Sequence, residues 1–367
     1  MDVRFHEFDP SLLSQRELLE RLHDLFRQLL LWTNGDVEEA LALLEQLAEQ
    51  HDLFEGRLDV ADVRRYLERV GDITPPVGER DARLTARGER GLRTRSLEAM
   101  FKGMRPDVAG DHRVPAIGQG GEPTSETRRW EFGDRTDRIA FSPTLENALR
   151  RGGIEGFSLM EEDLEVFEVE HSTAAATVMM IDVSHSMVLY GEDRITPAKE
   201  VALAMAELVT TRFPKDSLDV VLFGDDAWRV PLEQLPYIGV GPFHTNTRAG
   251  LRLAREILRK KRQANRQILM ITDGKPSCLT EPDGSLYKNP FGLDRRVVNK
   301  TLEEADHLRR LSIPVTSFLL TEDPTLVEFI ETFTRTNRGR AYLARPDALG
   351  SFVFVDYLRN RRRRPSH

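Results

Sequence analysis

Residues 177–186, Thr-Val-Met-Met-Ile-Asp-Val-Ser-His-Ser, decide the fold of this chain. The largely apolar run 177–181 is typical of a strand that is buried on both faces. Asp182, Ser184 and Ser186 follow where this strand ends, and side chains at alternate positions of an extended segment point the same way. We therefore expect a buried strand with three polar side chains facing one point at its carboxyl end.

From this strand to residue 358, apolar strands alternate with amphipathic helices. Further strands are predicted over 218–223, 227–230, 267–271, 313–319 and 341–343, and helices over 197–213, 248–261, 295–311, 324–334 and 347–358. Such alternation predicts an α/β fold with a doubly wound, mostly parallel sheet covered by helices on both faces. The short strand 227–230 is predicted to pair antiparallel at one edge.

Two other polar stretches lie where the predicted sheet would bind a ligand. Thr272-Asp273-Gly274 follows the fourth strand, and the loop 239–247, which contains Thr245-Asn246-Thr247, leads into a helix. Open parallel sheets bind ligands at the carboxyl ends of their strands. Carboxylates and hydroxyls are hard oxygen donors that suit Mg²⁺, or Mn²⁺, better than zinc or copper. Thr247 is an alternative to Thr245 as the threonine ligand.

Asp182, Ser184, Ser186, Thr245 and Asp273 resemble, in order and separation, the metal-ion-dependent adhesion site of von Willebrand factor A (vWA) domains. The resemblance covers about residues 172–359 and implies a Rossmann-like fold. It also implies that the two serines bind the ion directly, while the threonine and both aspartates bind it directly or through water. In this family the ion docks a carboxylate of a protein partner.

The wider chain resembles bacterial cytoplasmic vWA proteins that accompany MoxR-like or magnesium-chelatase-like AAA+ ATPases. The grounds are an added N-terminal region and the segment 164–169 just before the vWA domain. The resemblance implies an adaptor or co-chaperone without enzyme activity, whose partner is the ATPase or its client. Two alternatives stay open: a haloacid-dehalogenase-like phosphohydrolase, although Ser184 stands where that chemistry needs a second aspartate, and a vWA domain whose metal is purely structural.

Composition narrows the possible partners and compartment. The 367 residues carry 60 Asp and Glu against 52 Lys and Arg, a formal net charge of −8, which argues against a nucleic-acid partner. The only cysteine, Cys278, allows no intrachain disulfide and no cysteine-based zinc cage, and we interpret it as incidental. No apolar run approaches the ~20 residues of a membrane helix, so we expect a cytoplasmic protein without membrane contact.

The chain is predicted to fall into five regions. These are an N-terminal helical bundle (1–75), an Arg/Gly-rich linker with a short helix near 96–104 (76–135), a segment preceding the α/β domain (136–171), the vWA domain (172–358) and a basic tail (359–367). The segment 136–171 is predicted to hold strands at 138–141 and 164–169 around a helix at 144–151. An insertion at 275–294 is interpreted either as a gate or partner contact beside the metal, or as a passive loop. His185 is expected to point away from the ion.

Overall fold

The N-terminal region is helical, as predicted. The computed structural model describes residues 15–54, 56–76, 78, 81–103, 127–130, 139–153, 158–167, 174–289 and 293–361. The first three helices are α1 (Gln15–Trp32), α2 (Val37–His51) and α3 (Val60–Val70). The Asp36 side chain caps α2, and Asp59 starts α3 with a capping box. Their apolar faces share one core, which includes Leu22, Phe26, Leu29, Leu41, Leu44, Val63 and Leu67.

The fourth helix corrects the predicted linker. In place of a short helix near 96–104, α4 extends over Ala86–Gly103. Leu92 packs into the core of the first three helices, whereas Met100 belongs to the core of the α/β domain described below. Arg93 pairs with Glu207 of that domain at 3.6 Å. The arginine-rich sequence is therefore a helix between two cores, because arginine favours helices and each core needs few apolar residues from α4.

The described residues between 106 and 173 belong to a second compact unit. In it, β1 (Thr127–Arg129) pairs antiparallel with β2 (Glu165–Phe167), and α5 (Phe141–Gly152) lies between them in sequence. The strand predicted at 138–141 is reduced to a single bridge between Ile139 and Val166, because the helix already begins at residue 141. Of the strand predicted at 164–169, only the three residues of β2 are formed among those described.

The α/β domain, residues 174–361, is built on a six-stranded sheet. Its strands are β3 (Ala175–Asp182), β4 (Ser217–Phe223), β5 (Ala227–Val230), β6 (Asn265–Thr272), β9 (Val315–Leu319) and β10 (Arg340–Leu343). Their order across the sheet is β10-β9-β6-β3-β4-β5, and every pair is parallel except β4 with the edge strand β5. Every residue of the central strand β3 is buried, as its apolar run predicted. The predicted doubly wound, mostly parallel sheet is confirmed.

Helices cover both faces of this sheet. They are α6 (Ile195–Arg212), α7 (Thr247–Arg259), α8 (Arg295–Arg310), α9 (Pro324–Asn337) and α10 (Leu349–Arg361). One face packs against α6 and α10, and the other against α7, α8 and α9. Almost every residue of α6 from Ile195 to Val209 is buried, because α4 and α1 cover the side that faces away from the sheet. The N-terminal helices and the α/β domain are therefore one compact unit.

Two predicted irregular stretches have regular structure. The insertion at 275–294 contains an antiparallel hairpin of β7 (Cys278–Thr280) and β8 (Leu286–Lys288). The predicted basic tail begins inside α10, whose last residue, Arg361, pairs with Asp216 at 2.8 Å; residues 362–367 lie outside the described part. No helix in the described part of the chain is long and apolar enough to cross a membrane.

Candidate metal site

The five predicted ligands lie at the carboxyl edge of the sheet, on three separate stretches of the chain. Strands β3 and β6 end at Asp182 and Thr272, and the register pairs Ile181 with Ile271. The residues that follow these strands therefore leave the sheet side by side. The loop that carries Thr245 reaches the same edge before it enters α7.

Asp182 is buried and is held through both carboxylate oxygens. Its Oδ1 accepts a hydrogen bond from the backbone N of Ser184 at 2.9 Å, and its Oδ2 accepts one from the hydroxyl of Thr272 at 2.6 Å. The hydroxyl oxygens of Ser184 and Ser186 lie 3.1 Å apart. They meet as predicted, although the chain is not extended there: a 3-10 segment begins at His185.

Thr245 and Asp273 complete the group. The hydroxyl of Thr245 donates to Ser184 Oγ at 3.0 Å, and the hydroxyl of Ser186 donates to Asp273 Oδ1 at 2.7 Å. In the described part of the chain, the threonine hydroxyl that bonds to a serine of the site is therefore that of Thr245. Its alternative, Thr247, is the buried first residue of α7.

Gly274 marks the point at which these oxygen atoms converge. A Cβ atom built on this glycine would lie 2.7 Å from Thr245 Oγ1, 3.1 Å from Ser186 Oγ and 3.3 Å from Asp182 Oδ2. Hard oxygen donors from two stretches thus surround one small space beside the third, and only a glycine leaves this space free. The residues present fit a Mg²⁺-like ion, which takes carboxylate and neutral oxygen ligands.

The electrostatics of the site depend on two neighbouring carboxylates. Burial, together with the charge of Asp273, raises the pKa of Asp182 to about 7, although hydrogen bonds from Ser184 and Thr272 oppose the shift. A cation between two such carboxylates would relieve their repulsion. Among the described residues, no group of three or more His, Cys, Asp or Glu side chains is placed to hold a metal. The donor set at this edge is therefore two carboxylates and several hydroxyls.

Sequence reasoning missed Arg194, which contacts the site. Its Nη1 lies 2.6 Å from Asp273 Oδ2, so that Asp273 is bonded on one oxygen by Ser186 and on the other by a guanidinium. Thr272 was also missed as the hydroxyl that holds Asp182. Its position directly before Asp273 was a usable signal, whereas nothing local in the sequence marks Arg194.

The insertion contacts the site through Ser277, the third residue missed. The backbone N of Thr245 donates to Ser277 Oγ at 3.0 Å, and the backbone N of Ser277 donates to the carbonyl of Thr245 at 3.0 Å. The side chain of Asn246 donates to the hydroxyl of Thr280 in β7 at 3.0 Å. The hairpin therefore holds the loop that carries Thr245.

Two residues that were interpreted as bystanders have ordinary surroundings. His185 is exposed, and its backbone N donates to the carbonyl of Phe243 at 3.1 Å. Cys278 is buried in the hairpin, and burial raises the pKa of its thiol to about 12. Such a thiol is a poor nucleophile and a poor metal ligand at neutral pH.

Comparison with known proteins identifies the family. Residues 175–358, half of the 367-residue chain, match the family described as the vWA domain of Rv0959-like proteins. The chain belongs to this family. Residues 122–169 match the third domain of Rv0959-like proteins, so the Rv0959-like pattern extends to the small unit that precedes the vWA domain.

The Rv0959-like relatives include uncharacterised proteins of Mycobacterium. The protein Rv0959 of Mycobacterium tuberculosis is 34% identical over 357 residues, which cover 88% of this chain and 52% of the relative. A protein of Mycobacterium bovis matches to the same extent. The chain therefore spans about half the length of the curated relatives it matches.

Solved vWA structures are similar over about half of this Rv0959-like chain. The vWF domain of the type V pili tip protein Mfa5 from Porphyromonas gingivalis is 13% identical with a TM-score of 0.42, covering 53% of this chain and 98% of that one. A von Willebrand factor type A structure from Catenulispora acidiphila is 15% identical with a TM-score of 0.39, covering 52% of this chain and 43% of that one.

Proposed function

We propose that this protein is a Mg²⁺-dependent protein-interaction module that uses Asp182, Ser184, Ser186, Thr245 and Asp273 to hold Mg²⁺, or Mn²⁺, and that it has no catalytic activity of its own. The observation that carries the proposal is the convergence beside Gly274. There, oxygens of Asp182, Ser186 and Thr245, from two stretches of the chain, come within 3.3 Å of one point on a third stretch, next to Asp273.

The chemistry of the donor set explains why the site would bind a partner. A hard cation supplies positive charge to which an outside carboxylate can be attached. The chain's own residues fix the ligands: Thr272 orients Asp182, and Ser277 holds the loop of Thr245. The protein supplies only two carboxylates to the divalent ion, and its other ligands are neutral hydroxyls. An anionic group of a partner could therefore occupy a remaining coordination position of the ion.

The partner proposed is a MoxR-like AAA+ ATPase or its client, in the cytoplasm, and not a membrane or a nucleic acid. Support for the ATPase comes from the sequence resemblance to bacterial vWA proteins that accompany such ATPases. The net charge of −8 argues against nucleic acid. In this arrangement the ATPase hydrolyses ATP, and this chain supplies the docking site.

Metal binding is tested first, on the full chain, with Mn²⁺ as a probe whose electron paramagnetic resonance spectrum reports the bound fraction. We expect saturable Mn²⁺ binding that Mg²⁺ displaces, and at least tenfold weaker binding by Asp182→Asn. The matched control is Asp219→Asn. Asp219 lies on β4 and is also buried, but it pairs with Lys261 at 2.6 Å and is not one of the proposed ligands. Absence of saturable binding by the wild type, or equal binding by Asp182→Asn, would refute the proposed site.

Docking is tested by affinity capture from a native lysate, with wild type and Asp182→Asn in Mg²⁺ and in EDTA. An AAA+ ATPase captured only by the wild type in Mg²⁺ supports the proposal. A partner retained in all four samples contradicts metal-dependent docking. Mg²⁺ that raises the unfolding temperature without changing capture would instead make the metal purely structural.

The phosphohydrolase alternative has no support in the geometry. That chemistry needs a second acid two residues after the first aspartate, and this position is Ser184, whose hydroxyl accepts from Thr245. We therefore expect no phosphatase activity from the Mg²⁺-loaded chain.

A further inference from the structure

Arg194 is a fixed cation at the edge of the candidate metal site. Besides the contact of its Nη1 with Asp273 Oδ2 at 2.6 Å, its Nη2 lies 2.6 Å from Glu192 Oε2, and its backbone N donates to the carbonyl of Met187 at 3.0 Å. Its side chain is only 12% exposed. The guanidinium is thus held at both ends, and an arginine stays charged at any pH at which the protein is folded.

This guanidinium changes the charge of the site. When Asp182 is deprotonated, the carboxylates of Asp182 and Asp273 contribute two negative charges, and Arg194 returns one positive charge at hydrogen-bonding distance from the second. The carboxylate of Glu192 is 63% exposed, so water screens its charge. The ammonium of Lys275, two residues after Asp273, is paired with Asp323 at 2.8 Å. The protein therefore presents about one net negative charge to a divalent ion.

We propose that Arg194 is the charge-setting residue of the metal site: it keeps the ion-loaded site net positive, which weakens binding of the ion alone and strengthens binding of a carboxylate to the loaded site. The inference rests on the proposed function. It adds that the partner group must be anionic and that Arg194, which binds neither ion nor partner directly, determines how strongly the loaded site takes it.

If Arg194 sets the charge, its loss changes the affinities for metal and for carboxylate in opposite directions. A purely structural role predicts that both affinities change in the same direction. If Arg194 only tied the start of α6 to the end of β6, its loss would loosen both stretches and weaken the binding of metal and of carboxylate together. If it sets the charge, its loss returns one negative charge to Asp273, which strengthens attraction for the cation and repels an anion. The direction of the two changes therefore separates the two roles.

The experiment uses the full chain at 0.15 M KCl, with Mn²⁺ and acetate as probes. Arg194→Met keeps most of the aliphatic stem without the charge, and Arg194→Lys keeps the charge without the planar fork. The control is Arg229→Met, which removes one positive charge from the edge strand β5, where Arg229 pairs with Asp219. Mn²⁺ affinity is measured by electron paramagnetic resonance, and acetate affinity by its effect on water proton relaxation of the Mn²⁺-loaded protein.

We expect Arg194→Met to bind Mn²⁺ about tenfold more tightly and acetate about tenfold more weakly, with Arg194→Lys and Arg229→Met near the wild type. Weaker Mn²⁺ binding by Arg194→Met, or unchanged affinities for both probes, overturns the inference while leaving the metal site intact. Failure of the wild type to bind Mn²⁺ overturns the proposed function, and this inference with it.

Discussion

The ammonium nitrogen of Lys199 lies 2.8 Å from the side-chain oxygen of Asn34, and it also donates to the carbonyl of Leu31. Lys199 belongs to α6 of the α/β domain, whereas Leu31 and Asn34 are at the end of α1 and in the turn that follows it. The lysine is completely buried. A buried cation thus donates a hydrogen bond to a carbonyl at the C-terminal end of α1. This bond joins the N-terminal helices to the α/β domain.

The first prediction concerns the pH dependence of this contact. Burial lowers the pKa of Lys199 from 10.5 to about 8. Between these values the unfolded chain binds more protons than the folded one, so the free energy of unfolding rises with pH, by up to roughly 3 kcal/mol from this group. Urea unfolding at pH 7.5 to 10.5 should show a positive slope for the wild type relative to Lys199→Met. The exposed-lysine control Lys215→Met should keep that slope, and parallel curves for all three would contradict the prediction.

The second prediction concerns Ser277. Replacing it with alanine removes the hydroxyl that accepts from the backbone N of Thr245, so the loop loses one of its fixing bonds. We expect about tenfold weaker Mn²⁺ binding and a loss of stability of about 1 kcal/mol. Ser285→Ala is the matched control, because that hydroxyl donates to Asp283 at the exposed end of the hairpin. Equal Mn²⁺ affinities for the two variants would show that the hairpin does not position the ligand.

The third prediction concerns Gly274. An alanine methyl group there would lie 2.7 Å from Thr245 Oγ1, inside the space that the oxygen ligands share. We expect Gly274→Ala to fold but to lose measurable Mn²⁺ binding. In the control Gly350→Ala, the new Cβ meets the flexible side chain of Met100 at 2.8 Å, which can move aside. Wild-type Mn²⁺ affinity in Gly274→Ala would place the ion elsewhere.

The fourth prediction concerns a buried polar network under α10. Asp356 accepts from Arg340 Nε at 2.6 Å, from the hydroxyl of Thr316 at 2.8 Å and from Asn360 Nδ2 at 3.0 Å. Asp356→Ala leaves the largely buried guanidinium of Arg340 unpaired and should cost about 3–5 kcal/mol in urea unfolding. As a control, the surface variant Asp347→Ala should leave the urea midpoint of unfolding unchanged. If Asp356→Ala changed this midpoint as little, α10 would be held by apolar packing alone.

The α/β domain was predictable because its strands and helices each carry their own pattern. In β3 the run 177–181 is largely apolar, since both faces of the strand are buried. The sequence also indicates that the outer side of α6 is covered by another element, an indication that the prediction did not use. The sequence 201–209, Val-Ala-Leu-Ala-Met-Ala-Glu-Leu-Val, has almost no polar face, and a helix that is apolar all round must be covered on its outer side as well. That signal predicts a partner such as α4.

The site was predictable only in part, for a related reason. Asp182, Ser184 and Ser186 are close in sequence, and the ends of parallel strands bring Asp273 to the same edge. Arg194 and Ser277 reach the site through side-chain contacts with residues far along the chain, at Asp273 and Thr245. Such contacts depend on how the loops pack after the sheet has formed, and no local spacing encodes them.

The packing of α4 on α6 also has a consequence for synthesis of the chain. Helices α1 and α4 leave the ribosome before α6, and residues 106–173 must also be synthesised before the helix that these elements cover is released. Until then, apolar side chains such as Leu31 and Met100 lack the core of the α/β domain, in which they are buried. A fragment cut at the family boundary, residue 175, would leave α6 uncovered in the same way. The N-terminal helices are therefore needed to complete the core around α6.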